Sequence, residues 1–413
     1  MIELGLSRIS RLVQQSTLSW KAIHVAGTNG KGSITSYVSG LLAAAGVRCG
    51  RFTSPHLIDR WDCITVNEKV VEESLFRQVE KQVKERDQLL GLGSSEFELL
   101  TATAFEIFHQ ENVEVGVVEV GMGGRLDATN ILSNVLVSVI AKIGRDHEAF
   151  LGNSIQAIAK EKAGILKTGV PCVVDGTNET NVLRVLQSKI DELGINSTIA
   201  TPDVAISRFP KLASLFRDLD LEPHQQTNIS CATLALQKAF ERIQLQKNVD
   251  DLVPMLSDIR WPGRLQFLSI ESLVSRTNPV LLDGAHNGQS AAVLGRLVDR
   301  KLRQQSQSVT WVVSISHGKL WSDILESLIR PGDKVAVTAF GPVEGMPWVK
   351  ATDTEMLATE LRAALGVSNV ESFGPDIHGA ISWAASSANE GPLVIAGSLY
   401  LVSDIFRLLR EKQ

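Results

Sequence analysis

A glycine-rich segment between an apolar strand and a helix constrains the fold more than any other feature of the sequence. The segment reads HVAGTNGKGS (24–33), after the strand pattern KAIHVAG (21–27) and before a helical repeat of apolar residues over 34–46. Glycines in such a turn let backbone N–H groups converge on an anion, and the helix N-terminus adds positive charge. Because glycine follows Lys31, the segment departs from the common pattern G-x-x-x-x-G-K-[ST]. It predicts a phosphate site, and the alternative is a tight turn into an ordinary helix.

Other segments extend the same alternation of strands and helices. Apolar runs at 113–121, 135–144 and 170–176 read as buried strands separated by helical patterns, which predicts a parallel sheet covered on both faces. The segment DIRWPGRLQ (258–266) carries proline and glycine, and strand–helix alternation restarts after it. We therefore predict two α/β domains, over 1–257 and 258–413.

Composition excludes several classes of protein. A chain of 413 residues favours two domains, and 44 % apolar with 21 % charged residues favours packed cores. The net charge of -5 argues against a nucleic-acid partner. The four cysteines form no C-x-x-C pair, and no apolar run reaches the length of a membrane span. The first residues, MIELGLSRIS, show neither a secretory h-region nor a long Arg/Ser-rich presequence, so we expect a cytoplasmic protein that binds no membrane. A mitochondrial share stays open.

Three candidate metal ligands follow or end predicted strands. Ser54 lies in the turn of FTSPHL, Glu119 lies inside an apolar run, and His147 follows the strand over 135–144. In a parallel sheet such positions converge on one crevice, where hydroxyl, carboxylate and imidazole could share a Mg²⁺ ion. The alternatives are a turn residue for Ser54, an ion pair for Glu119 and a helix cap for His147.

Lys162 is a cation in the middle of an apolar stripe. In NSIQAIAKEKAGILK (153–167) it lies four residues after Ile158 and four before Leu166, whereas Lys160 and Lys167 fall off that face of the predicted helix. Burial depresses a lysine's pKa and makes the amine nucleophilic, so that it can react with CO₂ to form a carbamate. The alternative is a lysine that snorkels from the edge of the stripe.

The second domain contains further candidates. The segment LLDGAHNGQS (281–290) reads as a strand that ends at Asp283, followed by a turn with His286. Arg264 of the WPGRLQ segment could place a cation on phosphate. These residues suit nucleotide or substrate contacts at the end of a strand, and surface turn chemistry is the alternative.

Together these segments resemble the folylpolyglutamate synthase/dihydrofolate synthase family, a branch of the Mur ligase superfamily. The resemblance covers nearly the whole chain in the family's order, in the segments GTNGKGS, TSPHL, EFELLT, EVGMGGRLDATN, EKAGI, PHQQTN, WPGRLQ and LDGAHN. In this superfamily the loop reads G-T-N-G-K-x-[ST]. Finer features, among them GTNE at 176–179 and VEGMPW at 343–348, are most similar to the fungal branch.

The resemblance implies a fold and a reaction. The fold is an N-terminal ATP-binding domain over 1–257, a P-loop ATPase of the Mur-ligase type with a mainly parallel sheet. A smaller Rossmann-like α/β domain over 258–413 is the C-terminal glutamate ligase domain. The reaction is ATP-dependent ligation of L-glutamate to 7,8-dihydropteroate through an acyl phosphate. Addition of glutamate to reduced folates stays open as the alternative, because the same motifs serve both. All partners would be small molecules, and we expect a monomer.

The resemblance also implies site residues. Mg²⁺ falls on Ser54, Glu119 and His147, and Lys162 is the carbamylated lysine. His286 is a candidate for orienting the glutamate amine, and Lys31 and Lys162 are the other catalytic candidates. The nucleotide set comprises Thr28, Asn29, Gly30, Lys31, Gly32, Ser33, Asn228, Arg264 and Asp283. The pteroate set comprises Glu3, Ser95, Glu96, Phe97, Glu98 and Leu126.

Overall fold

The chain divides into two compact units in a computed structural model that describes residues 5–13, 18–259, 261–303 and 308–412. Unit 1 comprises Met1–His56 and Trp61–Arg260, and unit 2 comprises Leu57–Arg60 and Trp261–Gln413. The division lies three residues beyond the predicted boundary, and the sequence pattern did not predict that a four-residue strip near the N-terminus belongs to unit 2.

Unit 1 is built on an eight-stranded sheet whose order is β4-β3-β2-β5-β1-β6-β7-β8. In the run β2-β5-β1-β6-β7-β8 every pair of neighbouring strands is parallel. Strands β3 and β4 add an antiparallel edge beside β2. The strands are β1 (Lys21–Ala26), β2 (Cys49–Phe52), β3 (Ile64–Val66), β4 (Lys69–Val70), β5 (Val115–Glu119), β6 (Val135–Ile140), β7 (Cys172–Asp175) and β8 (Ser197–Ala200).

Helices connect these strands. They are α1 (Ser7–Leu12), α2 (Lys31–Ala44), α3 (Glu73–Leu90), α4 (Glu96–Gln110), α5 (Glu148–Leu151), α6 (Ile155–Ala163), α7 (Thr180–Leu193), α8 (Pro202–Arg208), α9 (Lys211–Asp218), α10 (Pro223–Ile243) and α11 (Val249–Leu252). Short 3₁₀ turns span Ala128–Ile131 and Val253–Ser257.

The central strands are apolar on both faces because helices cover both. In β1, Ile23 and Val25 pack in the core that also contains side chains of α2 and α10. Ala22 and Ala26 belong to clusters on the other face. Such two-sided burial explains the continuous apolar runs that predicted these strands.

Unit 2 is built on a second, six-stranded sheet in the order β13-β12-β11-β14-β10-β9, parallel except for β9. Its strands are β9 (Gln266–Leu268), β10 (Val280–Leu282), β11 (Thr310–Val313), β12 (Lys334–Val337), β13 (Asn369–Ser372) and β14 (Leu393–Ala396). Its helices are α12 (Gly288–Lys301), α13 (Trp321–Leu328), α14 (Thr354–Leu365), α15 (Ile377–Ala388) and α16 (Leu399–Glu411). The predicted fold class, two α/β domains with mainly parallel sheets, is confirmed. Among the helices of the described ranges, none has the length and apolar character needed to cross a membrane.

The strip Leu57–Arg60 is held within unit 2 by specific contacts. Leu57 packs against the cluster that contains α15 and α16. Arg407 donates to the carbonyl of Ile58 at 2.6 Å, and Arg410 forms an ion pair with Asp59 at 2.5 Å. The fold of unit 2 therefore depends on residues from two separate parts of the sequence.

Asp333 is a buried polar centre of unit 2. Its carboxylate accepts hydrogen bonds from Arg303 Nη1 (2.6 Å), Trp311 Nε1 (2.9 Å) and the backbone N–H groups of Val309 (2.9 Å) and Arg330 (3.0 Å). Because only 1 % of the residue is exposed, water cannot replace these bonds when the carboxylate is removed.

We expect Asp333→Ala to lower the free energy of unfolding of unit 2 by about 3–5 kcal/mol, since it leaves the largely buried Arg303 guanidinium with only the exposed Asp299 as a partner. Urea titration followed by tryptophan fluorescence measures this change, since five of the seven tryptophans lie in unit 2. As a matched control, Asp299→Ala removes a carboxylate that is 42 % exposed and also pairs with Arg303, and should cost less than about 1 kcal/mol. Equal losses in the two variants would contradict the assignment of Asp333 as a buried centre.

Candidate functional site

Four loops of unit 1 meet at the carboxyl edge of its sheet. Strands β2, β5, β1 and β6 are consecutive neighbours. The register pairs Val25 with Glu119 and Phe52 with Val118, so Ser54 and the loop after Ala26 extend from the same edge as Glu119. The sheet therefore brings the glycine-rich loop close to two of the predicted metal ligands.

Gly30 is the residue that turns the loop into α2. It is the N-cap of this helix, with φ of +86°. A Cβ atom at this position would lie 2.4 Å from Oδ1 of Asn228 on α10. Only glycine combines this backbone conformation with such a close approach, and Asn228 thereby packs directly against the predicted phosphate loop.

Thr28 and Asn29 anchor the loop to the segment after β6. Their N–H groups donate to the carbonyl of Lys142 at 2.8 and 3.1 Å. The Thr28 hydroxyl donates to the carbonyl of Gly144 (2.9 Å) and accepts from its N–H (3.0 Å). These groups are thus engaged within the protein. The N–H groups at the start of α2 lack intrahelical acceptors by geometry and are better placed to meet phosphate; they belong to Lys31, Gly32 and Ser33.

Lys31 lies between the loop and the acidic end of β5. Its Nζ is 3.6 Å from Oε1 of Glu119 and donates to the carbonyl of Thr28 at 3.3 Å. Both side chains of the ion pair are largely buried, at 15 % and 6 % exposure. Lys31 is also the first residue of α2, so it belongs to the helix N-terminus at which an anion would bind.

Lys162 contacts the same loop from α6. This helix is capped by Ser154, whose hydroxyl accepts from the N–H of Ala157. The side chain of Lys162 is buried, and its Nζ donates to the carbonyl of Gly27 at 2.8 Å. Burial, reinforced by the positive charge of Lys31, lowers the pKa of Lys162 to about 7, while Asp146 and Asp127 oppose this shift. A substantial fraction of the amine is therefore neutral at pH 7.

The helix that carries Lys162 is shorter than its apolar stripe suggested. It ends at Ala163, so Ile165, Leu166 and Lys167 lie beyond it. Lys167 is not a fully solvated lysine as its position off the stripe predicted. Its Nζ donates to the carbonyl and the side-chain oxygen of Asn130, and partial burial lowers its pKa.

The predicted metal ligands differ in their surroundings. Ser54 Oγ is buried and has no hydrogen-bond partner among the described residues, and Glu119 is a buried carboxylate. His147 is exposed, is the N-cap of α5 with φ of +54°, and lies 3.9 Å from Asp146. No group of three or more His, Cys, Asp or Glu within the described ranges is arranged to hold a metal. One hydroxyl with one carboxylate fits Mg²⁺, which commonly takes few protein ligands together with phosphate oxygens.

Four of the six predicted pteroate residues, Ser95 to Glu98, lie at the start of α4. Ser95 caps this helix in a capping box with Glu98, and Glu98 forms an ion pair with Arg8 at 3.1 Å. Both side chains therefore have structural roles. The ring of Phe97 lies so close to Gly121 that a Cβ there would be 2.4 Å from it.

The other described pteroate candidates are Glu96, Phe97 and Leu126. Glu96 lies in the first turn of α4, and Leu126 is half-buried in the loop after β5. Phe97 also stacks with Phe52, with ring centroids 6.2 Å apart. The prediction at Glu3 lies outside the described residues.

A buried polar chain beneath the site was not singled out from the sequence. His24 Nε2 is 2.9 Å from the Thr129 hydroxyl, which donates to Asp127. Asp127 also accepts from the N–H of Met122 at 2.8 Å. Burial, reinforced by the charge of Lys167, lowers the pKa of His24 to about 3, and burial raises the pKa of Asp127. A histidine within the apolar strand KAIHVA was the signal that could have revealed this chain.

Unit 2 brings its own candidates together after β10. The buried Asp283 accepts from the N–H groups of Leu265 (2.7 Å) and Ala285 (2.8 Å). Burial raises the pKa of Asp283, and the charge of Arg264 opposes this shift. His286 Nδ1 lies 2.9 Å from the carbonyl of Gly284. The three candidates of this unit, Arg264, Asp283 and His286, thus lie near the carboxyl end of β10.

Comparison with known proteins relates the whole chain to one group. Residues 266–408 match the family described as dihydrofolate synthetase, C-terminal domain. The chain is 39 % identical to the probable dihydrofolate synthetase of Schizosaccharomyces pombe, with 99 % of each chain aligned. It is 36 % identical to the dihydrofolate synthetase of Saccharomyces cerevisiae, with 98 % of each aligned. A solved structure of Mycobacterium tuberculosis folylpolyglutamate synthase, complexed with ADP and AMPPCP, superposes with a TM-score of 0.80 at 28 % identity and covers 98 % of this chain and 95 % of that one.

Proposed function

The chain belongs to the folylpolyglutamate synthase/dihydrofolate synthase family, and on this basis we propose that it ligates L-glutamate to 7,8-dihydropteroate, with ATP converted to ADP and phosphate. The observation that carries the proposal is the contact of Lys31, Glu119 and Lys162 with one glycine-rich loop at a helix N-terminus. The chain is 39 and 36 % identical to the two yeast dihydrofolate synthetases but 26 % identical to the probable folylpolyglutamate synthase of Saccharomyces cerevisiae, which favours dihydropteroate as the acceptor.

The chemistry uses positioning and charge without a covalent enzyme intermediate. A carboxylate oxygen of dihydropteroate attacks the γ-phosphorus of ATP, the bond to the bridging oxygen breaks, and ADP leaves. The amine of glutamate then attacks the acyl carbon, loses a proton, and expels phosphate. Lys31 and the N-terminus of α2 stabilise the negative charge that develops on the phosphoryl group.

A divalent cation fits the oxygen donors of the site. Ser54 and Glu119 would hold it, and His147 remains a proposed third ligand. When bound, Mg²⁺ neutralises phosphate charge. Glu119 pairs with Lys31; if Glu119 held the cation instead, Lys31 would be available to the nucleotide.

Lys162 is proposed to carry a carbamate. Its neutral amine would attack CO₂, forming an N–C bond and releasing a proton to water, and the product is an anion in place of a cation. The depressed pKa and the proximity of Lys31 support this conversion, because a negative group there would relieve the repulsion between the two lysines.

The other candidates complete the proposal. Phe97, Glu96 and Leu126 contact the pteroate, with Ser95 and Glu98 shaping the start of α4. Within unit 2, Arg264 and Asp283 are proposed for the nucleotide and His286 for orientation of the glutamate amine. A monomer in the cytoplasm is the simplest proposal for the working form, since every proposed partner is a small molecule.

Phosphate release with two acceptors tests the function. Purified protein receives ATP, Mg²⁺ and L-glutamate with either dihydropteroate or monoglutamyl tetrahydrofolate. We expect glutamate-dependent phosphate release with dihydropteroate, and a kcat/KM at least about tenfold lower with tetrahydrofolate, because one acceptor pocket discriminates modestly between related ligands. The reverse preference would assign the chain to folate polyglutamylation, and release with neither acceptor would overturn the proposal.

A further inference from the structure

The segment GTNE (176–179), which follows β7, contains a buried side chain that the proposed chemistry does not use. Asn178 is only 5 % exposed. Its Nδ2 donates to the carbonyls of Asp175 (2.9 Å) and Ala141 (3.2 Å), and its Oδ1 accepts from the N–H of Ile143 (2.8 Å). One amide thus joins the turn after β7 to the turn after β6.

The turn after β6, Ala141–Gly144, is the segment to which the phosphate loop is anchored. Its Lys142 carbonyl accepts from the N–H groups of Thr28 and Asn29, and its Gly144 exchanges two hydrogen bonds with the Thr28 hydroxyl. Asn178 holds Ala141 and Ile143, which directly precede and follow the carbonyl that the loop uses. The loop's position is therefore set through this turn by a residue that does not belong to the loop.

A second group of bonds holds Asn178 itself in place. Asp175 accepts from the N–H and the hydroxyl of Thr177 at 2.7 and 2.6 Å. Lys142 Nζ donates to the carbonyl of Thr177. The two turns are thus tied together on both sides of the Asn178 side chain.

We propose that Asn178 is a positioning residue for the nucleotide: it fixes the Ala141–Gly144 turn and, through it, the orientation of the phosphate loop. This inference rests on the proposed function of the loop as the ATP site. Backbone N–H groups bind an anion only when they converge on it, so a loosened turn weakens nucleotide binding. The pteroate candidates around α4 have no part in these bonds and should be unaffected.

Asn178→Asp tests the proposal with the smallest change in shape. A carboxylate keeps the acceptor for Ile143 but has no donor for the carbonyls of Ala141 and Asp175. Isothermal titration of the full chain should show the Kd for ADP raised about tenfold, the equivalent of losing the one buried hydrogen bond that Asn178 donates to the turn, at Ala141. The Kd for dihydropteroate, from fluorescence titration, should change less than about twofold, because sites that share no partners usually alter one another's free energies by no more than about 0.5 kcal/mol.

A control at an exposed asparagine shows whether an Asn→Asp change by itself alters binding. Asn67→Asp makes the same chemical change in the turn between β3 and β4, where the Asn67 side chain accepts from the N–H of Cys49 at 3.0 Å. It should leave both Kd values unchanged. Thr177→Val, at an exposed residue, removes the hydroxyl that donates to Asp175 at 2.6 Å and accepts from Lys142 Nζ at 3.4 Å. It should raise the Kd for ADP about two- to threefold and provides the test if Asn178→Asp does not fold.

Each result bears on a different statement. Weaker ADP binding with intact dihydropteroate binding supports the positioning role. Equal loss for both ligands, or unchanged ADP affinity in the folded variants, overturns it while leaving the proposed function standing. Absence of ADP binding by the unaltered chain overturns the proposed function, and the inference with it.

Discussion

Lys31→Ala is expected to lower kcat/KM for ATP by about a thousandfold or more, because the variant lacks a cation where charge develops during phosphoryl transfer. The side chain reaches both the Thr28 carbonyl and Glu119, so its removal also leaves a buried carboxylate without this cation. The loss should appear mainly in kcat, since the helix N-terminus still offers its N–H groups to the phosphates. Steady-state phosphate release at varied ATP concentration measures both constants.

Lys21→Ala is the matched control for this variant. Lys21 is exposed at the opposite end of β1 from the phosphate loop, so its removal should leave kcat/KM within about twofold of the unaltered chain, as for ordinary surface changes. Near-normal turnover by Lys31→Ala in the same assay would remove Lys31 from the catalytic assignment.

Lys162→Ala is expected to lower kcat by about a hundredfold or more, the scale of losing one aligned charged group from an active site. If the residue carries a carbamate, the activity of the unaltered enzyme should fall in CO₂-free buffer and return when bicarbonate is added. ¹³C-bicarbonate should then give a carbamate signal that Lys162→Ala lacks. Lys160→Ala, two residues away on the exposed face of α6, should behave as the unaltered enzyme.

The same lysine predicts a dependence of stability on pH. Its pKa falls from 10.5 to about 7 on folding, so between these values the unfolded chain binds more protons than the folded chain. The contribution of Lys162 to the free energy of unfolding therefore rises from pH 7 to 10.5 and is lowest below pH 7, where the buried amine is charged in the folded state. Urea titrations in CO₂-free buffer should show this rise in the unaltered chain relative to Lys162→Met. Parallel pH profiles for the two proteins would show that Lys162 is not buried as described.

The features that were predictable from the sequence are those set by local periodicity and turn chemistry. The loop over 24–33 follows from glycine and lysine spacing between a strand and a helix. The burial of Lys162 follows from its place in a stripe that repeats every 3.6 residues. Both signals lie within about fifteen consecutive residues, where chain geometry alone decides which side chains share a face.

Other features depend on partners that are distant along the chain. The anchoring of Thr28 on Gly144 joins residues 116 positions apart, and no local pattern encodes it. The pair Ser95 and Glu98 shows the opposite case. Its spacing S-x-x-E is typical of a capping box, yet the resemblance implied that both residues bind the substrate. In the structure they form the capping box at the start of α4.

The strip Leu57–Arg60 has a consequence for how the gene can be divided. A fragment that begins at Trp261 would carry every strand of the second sheet but would lack the carbonyl that Arg407 uses and the carboxylate that pairs with Arg410. It would also expose the apolar surface that Leu57 covers. A recombinant second domain should therefore carry Leu57–Arg60 joined by a linker to the segment that begins at Trp261. The compact unit is continuous in space but not in the coding sequence.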